Sequence, residues 1–233
     1  MHGTTHQSTI AIRARNVTLS LGTRDAPVEI LRGIDLDIMR GESLAILGAS
    51  GSGKSSLMAT LSGLERASGG EISVADLDYG AMDEDELARA RRGRIGIVLQ
   101  SFYLLPTMTA LENVAVPLEF AGVTDAFSRA EAELKAVGLS HRVRHYPAQL
   151  SGGEQQRVAI ARAVAPGPDI IFADEPTGNL DATTGSAIID LLFERQAAAG
   201  ATLVIITHDP SLAQRCDRIV QMRDGQIFSD RSR

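Results

Sequence analysis

The chain has one cysteine and no tryptophan, and its aromatic residues amount to only 4% of 233. A single thiol, Cys216, excludes an intrachain disulfide, fits a reducing cytosol, and is expected to do no more than pack. Long hydrophobic runs are missing too: no stretch approaches the roughly 20 apolar residues that cross a bilayer. The polar start Met1–Gln7 lacks the apolar segment of a signal peptide, so the chain is expected to be soluble by itself. His2 and His6 in that start belong to an expected flexible stretch, residues 1–8, rather than to a metal site. Positive charge is in deficit, with 23 Lys and Arg against 29 Asp and Glu and a formal charge of −6. That balance argues against a general nucleic-acid binder, which holds phosphate with surplus cations. What remains is an ordinary globular composition, 44% hydrophobic, with enough apolar material for one domain or two small ones.

Against this background one stretch stands out. Gly48-Ala49-Ser50-Gly51-Ser52-Gly53-Lys54-Ser55 fits the phosphate-binding pattern G-x-x-x-x-G-K-[ST] at every fixed position. Ser43–Leu47 before it reads as a buried strand, and Ser56–Leu61 after it as a helix ended by Gly63. Strand, loop and helix are the context the pattern requires. Glycines turn the backbone so that its N–H groups meet phosphate oxygens at the helix's positive end. Lys54 then reaches the outer phosphates, and Ser55 offers a hydroxyl to a magnesium ion. A chance glycine-rich surface loop would lack both flanks.

Upstream, Ile10 to Leu19 alternates as a strand with Ile10, Ile12, Ala14, Val17 and Leu19 inward, and Leu21–Pro27 carries turn residues. Ile30-Leu31 and then Ile34–Ile38 predict further strands. Asp83–Glu86 matches a capping box, which places a helix up to Arg91 that stops at Gly93. Four apolar runs of strand length end in polar groups: Ser43–Leu47 before Gly48, Ile95–Leu99 before Gln100, Ile170–Ala173 before Asp174-Glu175, and Leu203–Ile206 before Thr207-His208. Strands this apolar are buried on both faces, as in a parallel sheet, and such sheets bind ligands at their carboxyl ends. The four polar groups are therefore expected to converge on one edge.

Asp174 is expected to hold the magnesium through a water, and Glu175 to orient the attacking water and accept its proton. A structural alternative is an Asp-Glu pair opening a turn at Pro176. His208 at a strand end favours a contact to the terminal phosphate over a satisfied core histidine. Gln100 presents an amide to magnesium and water, or simply ends a strand. Leu150-Ser151-Gly152-Gly153-Glu154-Gln155-Gln156-Arg157 leads into an apolar helix ended by Pro166, with Ser151 and Glu154 as a capping box. Glycines at 152 and 153 are poor helix formers. They are expected to let a ligand approach, which makes this helix start a second anion site. Two phosphate clamps in one chain suggest one nucleotide held between two chains.

Taken together, the phosphate loop, Gln100, Leu150–Glu154, Asp174-Glu175, Asn179-Leu180-Asp181 and His208 resemble, in order and spacing, the ATP-binding cassette ATPases, over nearly the whole chain. Phe172–Asp181 with Ser101-Phe102 and Leu150–Arg157 is similar to the lipoprotein-releasing and macrolide-exporting branch. The resemblance implies an α/β fold: a mainly parallel, helix-flanked P-loop NTPase core, an N-terminal antiparallel β subdomain and an inserted α-helical subdomain. It implies a cassette over 9–233, with core segments 9–99 and 166–233 and the helical subdomain at 100–165. ATP with Mg2+ would sit on Gly48–Ser55 and Ser56, with Ser55, Gln100 and Asp174 at the metal. Ser151, Gly152, Gly153 and Glu154 of a second copy would close over it in a head-to-tail homodimer, and Asp181 lies in the loop linking the sites.

The family's partner is a polytopic membrane permease, which implies a cytoplasmic chain peripheral to the inner face of the cell membrane. Phe102, Tyr103, Leu104, Leu105 and Met108 are expected mostly in the subdomain's own core, with part lining a groove for a cytoplasmic helix of the permease. The position that usually stacks adenine on an aromatic ring is matched by Leu21. Other readings explain less. A small-molecule kinase accounts for Gly48–Ser55 but not for Leu150–Glu154 or His208. Soluble cassettes of DNA repair carry long coiled-coil insertions, and those of translation commonly carry two cassettes. A transporter or mechanotransmission ATPase acting on a membrane partner is the reading that remains.

Overall fold

The computed structural model describes residues 9–23 and 26–232; His2, His6 and the rest of 1–8 lie outside them. Along the chain run β1 (Ile10–Thr23), β2 (Ala26–Met39), β3 (Ser43–Leu47), α1 (Lys54–Leu61), β4 (Gly69–Val74), β5 (Leu77–Asp78), α2 (Glu84–Arg91), β6 (Ile95–Leu99) and α3 (Ala110–Phe120). There follow α4 (Ala126–Ala136), α5 (Gly152–Val164), β7 (Ile170–Asp174), α6 (Ala182–Ala199), β8 (Thr202–Thr207), α7 (Pro210–Ala213), β9 (Arg218–Arg223) and β10 (Gln226–Ser232). They pack as two units, one of the described residues through Ala90 with those from Asp209 onward, the other Arg91–His208.

In the first unit β1 pairs antiparallel with β2 and β4, and β4 with β5, in the order β2-β1-β4-β5. Alternation along β1 buries Ile12, Ala14, Val17 and Leu19. The step from 14 to 17 passes a bulge at Asn16, whose φ is 46°. Two sequence expectations are corrected here. β1 continues through Leu21 to Thr23 and β2 begins at Ala26, so Leu21–Thr23 and Ala26-Pro27 are strand rather than turn, and the segments 30–31 and 34–38 belong to one strand. The physical reason is cross-strand pairing: Leu21↔Val28 and Gly22↔Pro27 extend the ladder through residues whose local preference is for turns. A second ladder sets β3 parallel to β9 and β9 antiparallel to β10. Leu44, Ala45 and Ile46 are wholly buried. The Asp217 carboxylate accepts from the Ser43 N–H and hydroxyl at 2.9 and 2.6 Å, which ties the start of β3 to that of β9.

In the second unit β6, β7 and β8 are parallel, in the order β8-β7-β6, with Leu99, Asp174 and Ile206 in register. Their apolar runs are continuous because helices and neighbouring strands cover them; Phe172 and Leu203–Ile206 have no exposure. Helix α3 starts at a Thr109–Glu112 capping box. Its buried Asn113 donates to the carbonyls of Leu105, Met108 and Thr109. The helical core is Val114, Leu118, Ala130, Leu134 and Val158. The expected core role of Phe102–Leu105 and Met108 is not observed: Tyr103 is 67% exposed, Leu105 40%, and the other three are half-buried. The cause is local backbone shape. Phe102 and Tyr103 are both left-handed, φ 59° and 47°, which turns their side chains off the strand-like course an apolar run suggests.

Candidate functional site

In the first unit the loop after β3 opens α1 through Gly53, whose φ of 96° only glycine adopts without strain. A Cβ there would also crowd Ile30 O at 3.1 Å and Leu31 at 3.3 Å. Gly48 is held as tightly, because a Cβ would meet Met222 O at 2.5 Å and Ser52 Oγ at 2.7 Å. The Lys54 side chain folds back to donate to Ala49 O at 2.9 Å and is buried, as is Ser52, while Ala49, Ser50, Gly51 and Ser55 are exposed and Ser56 half-buried. The Ser52 hydroxyl oxygen is buried with no hydrogen-bond partner among the described residues, an unmet polar group in a loop whose other features suit phosphate. Behind the loop, the β9–β10 turn places Asp224 and Gly225 at φ 50° and 77°. The Gly225 N–H donates to Ser52 O at 3.1 Å, and Gly225 O accepts from the Arg32 N–H at 2.9 Å. Leu21, opposite Val28, is 44% exposed on the neighbouring hairpin.

In the second unit the parallel register brings Gln100, Asp174-Glu175 and Thr207-His208 to one sheet edge. Glu175 follows β7 with φ 45°, and its N–H donates to Ile206 O at 2.9 Å. Its Oε1 lies 2.8 Å from His208 Nδ1, with the glutamate side chain 18% exposed and the ring 70%. The Thr207 hydroxyl donates to Oε2 at 3.4 Å. Gln100 turns to Asn179 instead: the Asn179 amide donates to Gln100 O at 2.9 Å, and the Gln100 amide reaches Asn179 Oδ1 at 3.5 Å.

The Ser151–Glu154 capping box is present at the start of α5, the Ser151 N–H donating to Glu154 Oε2 at 2.8 Å. That N–H, together with the Arg142 guanidinium at 2.9 Å, holds the Glu154 carboxyl below its ordinary range. Gly153 has a reason within the chain for its missing side chain, since a Cβ would stand 2.6 Å from Thr184 Cγ2. Asp181 caps α6 by accepting from the N–H groups of Thr183 and Thr184.

Two side chains given no role from the sequence also bear on the site. Arg162 donates to Phe102 O and Tyr103 O, both at 2.7 Å, clasping the left-handed pair two residues beyond Gln100. Its burial lowers its pKa from the usual arginine value. Gln156, fully buried, donates to Pro176 O at 2.8 Å, immediately after Glu175. A polar residue in line with buried Ala159, Ile160 and Ala163 was a legible signal for Gln156. Nothing local pointed to Arg162.

A glycine-bounded loop with a buried lysine opening a helix, in a chain whose glutamate and histidine meet at strand ends, defines a phosphate-loop nucleotide hydrolase. Comparison narrows the class. Residues 31–178 match the ABC transporter family, and the chain belongs to it. It is 48% identical over 218 residues, 93% of this chain and 96% of the other, to the uncharacterized ABC transporter ATP-binding protein YbbA of Escherichia coli strain K12. The lipoprotein-releasing system ATP-binding protein LolD of Legionella pneumophila strain Paris is 46% identical, covering 87% of this chain and 90% of its own. The macrolide export ATP-binding/permease protein MacB of Marinobacter nauticus is 47% identical over 94% of this chain, which spans 34% of it. Among solved structures, the dimeric post-hydrolysis state of the ATP-binding cassette MJ0796 bound to ADP and Pi superposes with a TM-score of 0.87 at 39% identity, covering 95% of this chain and 98% of that one. The chain is an ABC ATPase of the ATP-binding-subunit type. Among the described residues no helix is long and apolar enough to cross a membrane.

Proposed function

We propose that this chain hydrolyses ATP as one half of a head-to-tail homodimer and drives a polytopic membrane permease of the lipoprotein-releasing or macrolide-exporting kind, from the inner face of the cell membrane. Gly48–Ser55 and Ser56 hold the triphosphate, with Lys54 swinging from Ala49 O to the outer phosphates and the Ser52 hydroxyl finding its missing partner there. Ser151, Gly152, Gly153 and Glu154 of the second copy close over the same nucleotide, and Asp181 stands in the loop between the two sites. Residues 100–165, which include α3, α4 and α5, form the helical subdomain that receives the permease, with exposed Tyr103 and Leu105 offered to it.

Ser55, Asp174 and Gln100 supply hydroxyl, carboxylate and amide oxygens, the hard donors that magnesium takes alongside phosphate, and they would hold it. When bound, the ion neutralises charge on the β- and γ-phosphates.

Glu175 accepts a proton from the attacking water, whose oxygen bonds to the γ-phosphorus as the bond to the β–γ bridging oxygen breaks. The observation that carries this reading is the 2.8 Å contact between His208 Nδ1 and Glu175 Oε1 at the ends of adjacent strands. It aims the carboxylate and leaves Nε2 to face the terminal phosphate. Glu175→Gln is expected to keep ATP binding and lower turnover at least about a hundredfold. Near-normal hydrolysis by that variant would move the base elsewhere.

A further inference from the structure

Glu175 has a Cβ and sits in left-handed space. Such a conformation persists only where its surroundings over-determine it. Two backbone bonds contribute: the Glu175 N–H donates to Ile206 O at 2.9 Å, and Glu175 O accepts from the Gly178 N–H at 3.0 Å. The next residue, Pro176, has no N–H, so its carbonyl is the one backbone group through which it can be hydrogen-bonded. That carbonyl accepts from Gln156 Nε2 at 2.8 Å.

Gln156 is costly for what packing alone requires. It has no exposure, and its Oε1 is buried with no partner among the described residues. An apolar side chain of similar volume would spare Oε1 but leave the carbonyl of buried Pro176 without this donor, one stranded acceptor exchanged for another. The balance of stranded groups therefore does not by itself select an amide here, and the bond the amide makes falls beside the residue that takes the proton. We infer that Gln156 is a positioning residue for Glu175: through Pro176 O it fixes the turn that aims the carboxylate. The inference rests on the reading that Glu175 orients and deprotonates the water. It also places a device in α5, the helix opened by the Ser151–Glu154 cap, that acts on the chain's own carboxylate rather than on the nucleotide at that helix start.

The test uses the full chain at concentrations where it dimerises, with Gln156→Met, Gln156→Glu and Glu175→Gln compared to wild type. Gln156→Met fills the space and removes both donor and stranded acceptor. Its melting temperature and its affinity for a fluorescent ATP analogue are expected near wild type, the affinity within about twofold, while kcat falls about tenfold or more. Gln156→Glu is expected to be as slow near pH 8, where the new carboxylate cannot donate. Its kcat relative to wild type should rise at least about threefold towards pH 6, because burial raises a carboxyl's pKa and the protonated form donates to Pro176 O again. A Met variant with wild-type kcat overturns the inference, and so does a Glu variant whose pH profile parallels wild type or a rate loss that only tracks loss of folded protein. If Glu175→Gln is inactive while Gln156→Met is fully active, only the positioning role fails. If Glu175→Gln remains active, the reading of Glu175 fails and the inference falls with it.

Discussion

Gly153→Ala offers the sharpest separation of packing from ligand binding at the start of α5. An added Cβ would stand 2.6 Å from Thr184 Cγ2, where ordinary contact begins near 3.4 Å, so something must move by close to an ångström. Overpacking of this kind costs about 1–3 kcal/mol. The gain from replacing glycine by alanine in a helix offsets about 1 kcal/mol of it. The net loss is then about 0–2 kcal/mol, or a fall in melting temperature of up to about 8 °C for a chain of this size. Thr184→Ser removes the offending methyl and keeps the hydroxyl that bonds Asp181. In that background Gly153→Ala should be neutral or stabilising by up to about 1 kcal/mol, which makes the coupling between the positions about 1–3 kcal/mol. Thermal melts of the wild type, both single variants and the double variant measure it. Additivity within about 0.5 kcal/mol would refute the steric account. Turnover of the double variant then reads the other role: if a second copy's nucleotide needs bare backbone at 153, the rescued protein stays inactive.

At Leu21 an aliphatic side chain covers a base without the ring stacking worth about 0.5–1.5 kcal/mol, or about two- to twelvefold in affinity. GTP should therefore compete with ATP within about an order of magnitude, and Leu21→Tyr should tighten ATP by a similar small factor; a hundredfold preference of the wild type for ATP in nucleotide titrations would refute this. Glu154, held below its ordinary range first by the Ser151 N–H, contributes stability that is complete above the usual carboxylate pKa and is lost as pH falls through the lowered folded value. The difference in melting temperature between wild type and Glu154→Gln should accordingly shrink from about pH 5 towards pH 3, and a constant difference would sink the argument.

The features legible in the sequence were those whose causes lie within a few residues. Ser151 and Glu154, or Asp83 and Glu86, satisfy each other across one helical turn, so pattern and structure coincide. The strand ends at Gln100, Glu175 and His208 were visible because apolar runs stop abruptly there. What escaped depends on partners distant in sequence. Leu21–Pro27 carries turn residues, yet pairing across β1 and β2 draws most of it into the ladder. Phe102 and Tyr103 look like core, yet Arg162, 59 and 60 residues further on, holds their carbonyls in a left-handed turn. The packing reason for Gly153 also escaped, because Thr184, on another helix, is invisible to any local window.

The turn at Asp224-Gly225 has a consequence for the chain as it is made. Ser52 is synthesised before Gly225, whose N–H bonds its carbonyl and which follows about 170 residues later, a delay of about 9–35 s at 5–20 residues per second. During that interval the nascent phosphate loop lacks the bond to Gly225, and the strand next to β3 that carries Met222, against which Gly48 packs, has not been synthesised. A nucleotide arriving then meets a loop free to sample other shapes. Synthesis of the β9–β10 hairpin therefore sets the earliest moment at which the nascent polypeptide can grip a triphosphate with its finished geometry.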